Sequence, residues 1–175
     1  MANDNWITPP EVINPVKFAL GGTINLDPCS SVLANTIVEA KAFYTENGLK
    51  LKWDYGPVKT IWVNPPFSDP KPWVEKAILT LQTSSVKNIG FILPDRAIST
   101  QAGDMLGDAV NYIVLPHKRV HFLDQGLVPA RSPNFGVVLY ILGENIPEDR
   151  ITALMSIGHT FKKGKLVPTS LTWAA

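Results

Sequence analysis

The sequence predicts an α/β fold: a three-layer arrangement around a mostly parallel sheet, with an antiparallel hairpin at the C-terminal end and helices on both faces. Three observations predict it. Short β-branched runs such as Thr60-Ile61-Trp62-Val63 alternate with longer amphipathic stretches, the pattern of strand–helix–strand crossovers. Prolines and glycines sit at the edges of these segments and punctuate them. The strand-like runs at 110–115, 119–122 and 135–142 follow one another without a long helix between them, which favours an antiparallel connection. At 175 residues, 45% hydrophobic and 18% charged, the chain fits one domain, 1–175, and is neither disordered nor a coiled coil.

Taken in order, Thr8 is placed to cap a first helix with Pro9 at its first position, running to Leu20 and ended by Gly21-Gly22. Residues 23–26 read as a short strand that delivers Asp27-Pro28-Cys29-Ser30-Ser31 at its carboxyl end, and 32–42 as the next helix. The run 60–63 is a buried strand between a Gly-Pro turn and Asn64-Pro65-Pro66. Ser68 or Asp69 can cap a following helix whose stripe is Trp73, Ala77 and Leu81 or Val74, Ile78 and Leu81. A strand at 88–93 ends at Pro94, a helix follows at 99–107, then the three strand-like runs and a helix over 147–158, and the last residues either add a short edge strand or are loose. In such sheets ligands bind beyond the carboxyl ends of the strands, where the loops after Leu26 and Val63 lie.

Composition excludes several classes. One cysteine, Cys29, cannot form an internal disulfide and suits a reducing cytoplasm. The start, MANDNWITPPEV, has no basic cluster followed by an apolar stretch, and no apolar run nears the ~20 residues that span a bilayer, so a soluble cytoplasmic protein without membrane contact is expected. Neither a Gly-x-Gly-x-x-Gly nor a Walker loop occurs, which disfavours nicotinamide and nucleoside triphosphate chemistry. His117 and His121 lack further ligands at zinc spacing, so no metal is expected. The net charge of +1 says little, but 116–131 holds one lysine, two arginines and two histidines against Asp124 alone. That segment is either a phosphate-facing surface or a solvated loop.

Asn64-Pro65-Pro66-Phe67 carries the chemistry. Two prolines fix the backbone and remove two N–H donors, leaving carbonyls without competing donors. Asn64, before a proline, is driven extended and offers an amide oxygen at the mouth of a sheet, with a flat aromatic face from Phe67 close by. Such a group can hold a planar heterocycle by its exocyclic amine: the Asn64 oxygen and the Pro65 carbonyl accept the two amine hydrogens while Phe67 stacks on the ring. That exposes the nitrogen lone pair to an electrophile such as a methyl sulfonium, with orientation and electrostatics supplying the catalysis. A proline-stiffened turn is the plain structural alternative. Asp27, leaving a strand beside small residues, could face an ammonium or simply open a turn, and Cys29 reads as a packing residue.

The chain resembles the phage-type DNA N-6-adenine methyltransferases. The resemblance runs through Trp6-Ile7-Thr8-Pro9, Leu26-Asp27-Pro28-Cys29-Ser30, Ala42-Phe43-Tyr44-Thr45, Asn47-Gly48-Leu49, Trp53, Trp62-Val63-Asn64-Pro65-Pro66-Phe67 and Trp73-Val74-Glu75-Lys76-Ala77, and so covers roughly the first 80 residues. It implies a Rossmann-like class I methyltransferase fold and S-adenosylmethionine as cofactor. By position, Thr8 and Pro9 would contact the methionine end, Asp27 its ammonium within the segment Asp27-Pro28-Cys29-Ser30, and Asn47 the cofactor adenine. Glu39 and Glu46 both stay open for the ribose. Asn64, Pro65, Pro66 and Phe67 would hold the target adenine, flipped out of double-stranded DNA because a stacked amine cannot be reached. Asn64 and Phe67 stand where many adenine methyltransferases have aspartate and tyrosine, and no glycine-rich turn follows Ser31. Lys118, Arg119 and Arg131, in a small target-recognition segment at 117–134, would contact DNA. The setting implied is the cytoplasm of a phage-infected or prophage-bearing bacterium, with restriction-modification and regulation both open as the role. Two rival readings remain: an amino-methyltransferase acting on RNA or a protein glutamine, and a catalytically silent nucleic-acid-binding protein on the same scaffold.

Overall fold

The computed structural model describes residues 6–130, 135–163 and 165–166. The strands are β1 (Leu26–Asp27), β2 (Ala42–Phe43), β3 (Thr60–Val63), β4 (Asn88–Pro94), β5 (Val110–Pro116), β6 (Val137–Gly143), β7 (Gly158–Lys162) and β8 (Lys165–Leu166). The helices are α1 (Pro10–Ala19), α2 (Val32–Val38), α3 (Lys71–Thr83), α4 (Gln101–Ala109) and α5 (Glu148–Met155). One sheet results, in the order β2-β1-β3-β4-β6-β5-β7-β8. β2, β1, β3 and β4 are mutually parallel, and the pairings of β6, β5, β7 and β8 beyond β4 are all antiparallel. The fold is therefore α/β and Rossmann-like, mostly parallel in its first half and closed by antiparallel strands.

The winding places the site. From β1 the chain goes outward to β2 and then returns to the other side of β1 as β3, so the strand order reverses between β1 and β3. At such a reversal the two following loops diverge and leave a crevice at the carboxyl ends. The loops that diverge here begin at Pro28 and Asn64.

The sheet separates two cores, and residue alternation along the strands assigns side chains to them. On β6, Val137, Leu139 and Ile141 pack toward α1 and α5, while Val138, Tyr140 and Leu142 pack toward α3 and α4. Trp62 faces the first core between Ile61 and Val63 of the second. Gly90 on the neighbouring strand makes room for it: a Cβ there would stand 3.0 Å from the Trp62 ring and 3.4 Å from Val16. Helices thus cover both faces, as the strand and helix patterns predict.

Several element bounds differ from the sequence expectations for local physical reasons. Helix α1 is capped by Pro9, whose carbonyl accepts from the N–H groups of Val12 and Ile13, and Thr8 makes no side-chain cap. Helix α3 likewise starts at Pro70 without a side-chain cap from Ser68 or Asp69. Helix α2 stops at Val38 because Glu39 turns left-handed (φ 54°), freeing Ala42 and Phe43 to pair with β1 instead of extending the helix to residue 42. The run 119–122 is not a strand: both edges of β5 are taken by β6 and β7, so Val120 and Phe122 bury their side chains in the first core instead. The expected helix over 147–158 ends at Met155, and Gly158 opens β7 along β5.

Candidate active site

The loop after β1 is rigid. Cys29 N–H donates to Asp27 Oδ1 (3.1 Å), Ser30 N–H to the Tyr44 carbonyl (3.0 Å), and the Ser31 hydroxyl accepts from Ala34 N–H (3.0 Å) to cap α2. Asp27 itself is 2% exposed. Burial pushes its carboxyl up to about 7, against the opposing pull of hydrogen bonds from Cys29 N–H and the Ser30 side chain.

The loop after β2 folds over this one. Asn47 adopts a left-handed conformation (φ 56°), and Gly48 packs its Cα against the Pro28 carbonyl. Helix α3 fastens the loop from behind. Lys76 Nζ donates to the carbonyls of Leu49 (2.7 Å) and Leu51 (2.6 Å) and lies over the Trp53 ring, which donates its Nε1–H to the Gly48 carbonyl (2.8 Å) and tilts against Trp73.

The third wall comes from β3. Asn64 donates its amide Nδ2 to the main-chain carbonyl of Trp6 (2.5 Å), a contact across 58 residues of sequence. Because a carbonyl can only accept, the NH₂ end must point at Trp6, and Oδ1 is left as the acceptor. Trp6 is held in turn. Its neighbour Ile7 exchanges both backbone hydrogen bonds with Leu123 (3.2 and 2.9 Å), and its ring packs against Phe122 (5.9 Å). Leu123 belongs to a small turn in which Asp124 Oδ1 accepts from Gly126 N–H (2.7 Å) and Val128 N–H (3.3 Å), and Leu127 takes φ 57°.

Between these walls is a cavity of about 540 Å³, within the size range of small-molecule sites. Of the residues to which the sequence assigns a catalytic or cofactor role, Pro28, Cys29, Ser30, Asn47, Asn64 and Pro66 line it. Thr8, Pro9, Asp27, Pro65 and Phe67 are buried and form no part of that lining. The Thr8 hydroxyl is a buried atom without a hydrogen-bond partner among the described residues. Phe67, 4% exposed, stands edge-on to Phe122 and Phe135 (5.8 Å each). Lys118 and Arg119 are exposed just beyond the carboxyl end of β5, while Arg131 lies outside the described residues. The two open acidic positions separate clearly: Glu46 lines the cavity, whereas Glu39 is paired with Lys17 (2.7 Å) at the end of α2.

Sequence reasoning missed Trp6 as a wall, Tyr44, Trp73 and Gln125 as lining, and Arg96 near the tetrapeptide. Arg96 donates to the Phe67 carbonyl (3.4 Å) and covers the Phe135 ring at 4.7 Å. Its position two residues after Pro94, just beyond the carboxyl end of a buried strand, is the signal that could find it. Among the described residues no group of three or more His, Cys, Asp or Glu side chains could hold a metal ion, and no helix is long and apolar enough to cross a membrane.

A ligand-sized cavity thus lies at the strand-order reversal of a Rossmann-like α/β sheet, the place where such sheets bind their ligands. Residues 1–166 match the family model described as DNA N-6-adenine-methyltransferase (Dam), and the chain belongs to that family, a family of adenine methyltransferases. No curated protein matches the sequence. Among solved structures, a dimethyladenosine transferase from Plasmodium falciparum is similar with a TM-score of 0.47 at 9% identity, over 85% of this chain and 66% of that one.

Proposed function

We propose that this protein transfers a methyl group from S-adenosylmethionine to the N6 amine of an adenine flipped out of double-stranded DNA. The observation that carries the reading is Asn64: its NH₂ end is fixed on the Trp6 carbonyl, leaving Oδ1 as a preset acceptor in a cavity-lining side chain. An amine is the group such an acceptor suits, and family membership makes adenine its bearer.

The chain's own groups fit the cofactor. Among the described residues no cation meets the buried Asp27 carboxyl and the buried Thr8 hydroxyl has no partner; an ammonium and carboxylate of a methionine end supply what both want. Glu46 is available to the ribose hydroxyls and Asn47 to the cofactor adenine, with Pro28, Cys29 and Ser30 shaping the wall and Pro9 buried behind it. The cofactor supplies an electrophilic methyl group. Asn64 Oδ1 and the Pro65 carbonyl accept the two amine hydrogens of the target, orienting the nitrogen lone pair along the line of attack. Phe67 supports the target ring once its edge-to-face packing with Phe135 opens. Lys118, Arg119 and Arg131, in the segment 117–134, contact the phosphates that offset the cost of unstacking, a few kcal/mol.

Transfer of labelled methyl groups to unmethylated duplex DNA, followed by nucleoside analysis, tests the reading. N6-methyladenine is the expected product, absent with Asn64→Ala although that variant still binds the cofactor. Label appearing only in RNA or protein would replace DNA as the acceptor, and no cofactor binding at all would leave a silent nucleic-acid-binding scaffold.

A further inference from the structure

Asn64 is the only member of the tetrapeptide whose side chain could face the cavity in two opposite ways, acceptor inward or donor inward. The choice is made by a main-chain atom far away in sequence. We infer that the Trp6 carbonyl is a positioning group: it holds the Asn64 NH₂, fixes Oδ1 as the acceptor, and makes asparagine rather than aspartate the residue this site requires. The inference rests on the proposed methyl transfer for its kinetic consequence and on geometry alone for the contact itself.

The argument is one of donors and acceptors. A carboxylate at position 64 has acceptors only, so one of its oxygens would face the Trp6 carbonyl oxygen at the distance now occupied by a hydrogen bond. The pair must then separate, or the carboxyl must keep a proton and donate it to Trp6. Separation is obstructed on both sides. The residue following Asn64 is a buried proline, which removes backbone freedom at position 64. Ile7 is 3% exposed and locked by its reciprocal bonds to Leu123, while the Trp6 ring rests on Phe122. The positioning group therefore depends on the turn at 122–130, whose Gln125 lines the same cavity. An element that reaches the cavity rim thereby also sets the aim of Asn64.

Three measurements test this. Single-turnover methyl transfer is compared for the native protein and Asn64→Asp from about pH 6 to about pH 8, as the ratio of the two rates, so that titration of Asp27, present in both, cancels. The expected ratio is a loss of ~100-fold or more at the upper end, recovering as pH falls and the carboxyl gains the proton that Trp6 demands. In Ile7→Pro, which deletes the N–H donated to Leu123, the rate at saturating cofactor is expected to fall by ~10-fold or more. The third readout needs no activity. With the side-chain amide of Asn64 labelled with nitrogen-15, one of its two protons should exchange slowly with solvent in the native protein and rapidly in Ile7→Pro.

Transfer by Asn64→Asp within about threefold of native at every pH, or fast exchange of both amide protons in the native protein, would overturn the positioning role. If no variant, native protein included, methylates DNA, the functional reading fails while the exchange measurement still decides whether Trp6 holds Asn64.

Discussion

Gly48 lies with its Cα against the carbonyl oxygen of Pro28, so close that a methyl group on Gly48 would overlap that oxygen and touch the Trp73 ring at 3.0 Å. This contact joins the loop after β1 to the loop after β2, and both line the cavity. Gly48→Ala must therefore push the Asn47 loop outward, against the hold of Lys76 on Leu49 and Leu51. The expected cost is about 1–3 kcal/mol of stability and at least a tenfold loss of cofactor affinity. Thermal unfolding and a binding titration on the same variant check the two parts. A stable variant with native affinity would show that the two loops move independently.

The middle of the same sheet makes a purely structural prediction. Gly90 has no side chain because the Trp62 ring fills the space above it. Gly90→Val gains β-propensity, worth up to ~1 kcal/mol, but drives branched methyls into a ring that is fully buried. Overpacking should win, with a net loss of about 1–2 kcal/mol. A lowered urea midpoint with an unchanged slope is the expected result.

How far the sequence disclosed this architecture depends on which interactions decide each element. Thr60–Val63 and its Asn-Pro-Pro exit were legible because both signals are local: a β-branched run, then prolines that no strand continues through. The Gly48–Pro28 and Asn64–Trp6 contacts were not, because each joins segments far apart in the chain and leaves no periodic trace. The run 119–122 misled for a related reason. Its alternation, with Val120 and Phe122 buried and Arg119 and His121 exposed, is real, but strand formation also needs an open edge and β5 has none. Phe67 shows a further limit. Its place in the tetrapeptide suggests an open stacking face, and only the structure reveals that the ring is buried, packed edge-to-face with Phe122 and Phe135.

Arg96 should behave as a DNA contact with a double role. Its guanidinium covers Phe135 and bonds the Phe67 carbonyl, so charge and planarity both matter. Arg96→Ala is expected to weaken DNA binding severalfold and reduce the slope of log affinity against log salt by about 1. Arg96→Lys should restore the slope but not the full affinity, since an ammonium neither stacks flat nor bonds in a fork. Lys118→Ala, with no such packing, should change slope and affinity together. Anisotropy titrations across a salt series distinguish these patterns, and an unchanged slope in Arg96→Ala would remove that residue from the DNA surface.

Asp27 gives the protein a pH signature of definite sign. In the folded chain burial raises its carboxyl to about 7 from the ordinary 3.8, so between about pH 4 and 7 the folded state holds a proton that the unfolded chain has released. The proton favours folding while it is bound. Stability contributed by Asp27 is therefore full below about pH 4, falls as pH rises toward 7, and levels off above it, a loss of at most about 4 kcal/mol. Asp27→Asn should flatten that decline. An ammonium placed beside Asp27 acts in the reverse sense, because it favours the charged carboxylate. Cofactor affinity is thus expected to rise about tenfold per pH unit up to about pH 7, with close to one proton released per molecule bound at about pH 6. Calorimetric titrations in two buffers of different ionisation enthalpy measure that proton directly. Release that persists in Asp27→Asn would assign it to another group, and a pH-independent affinity in the native protein would take Asp27 out of cofactor binding altogether.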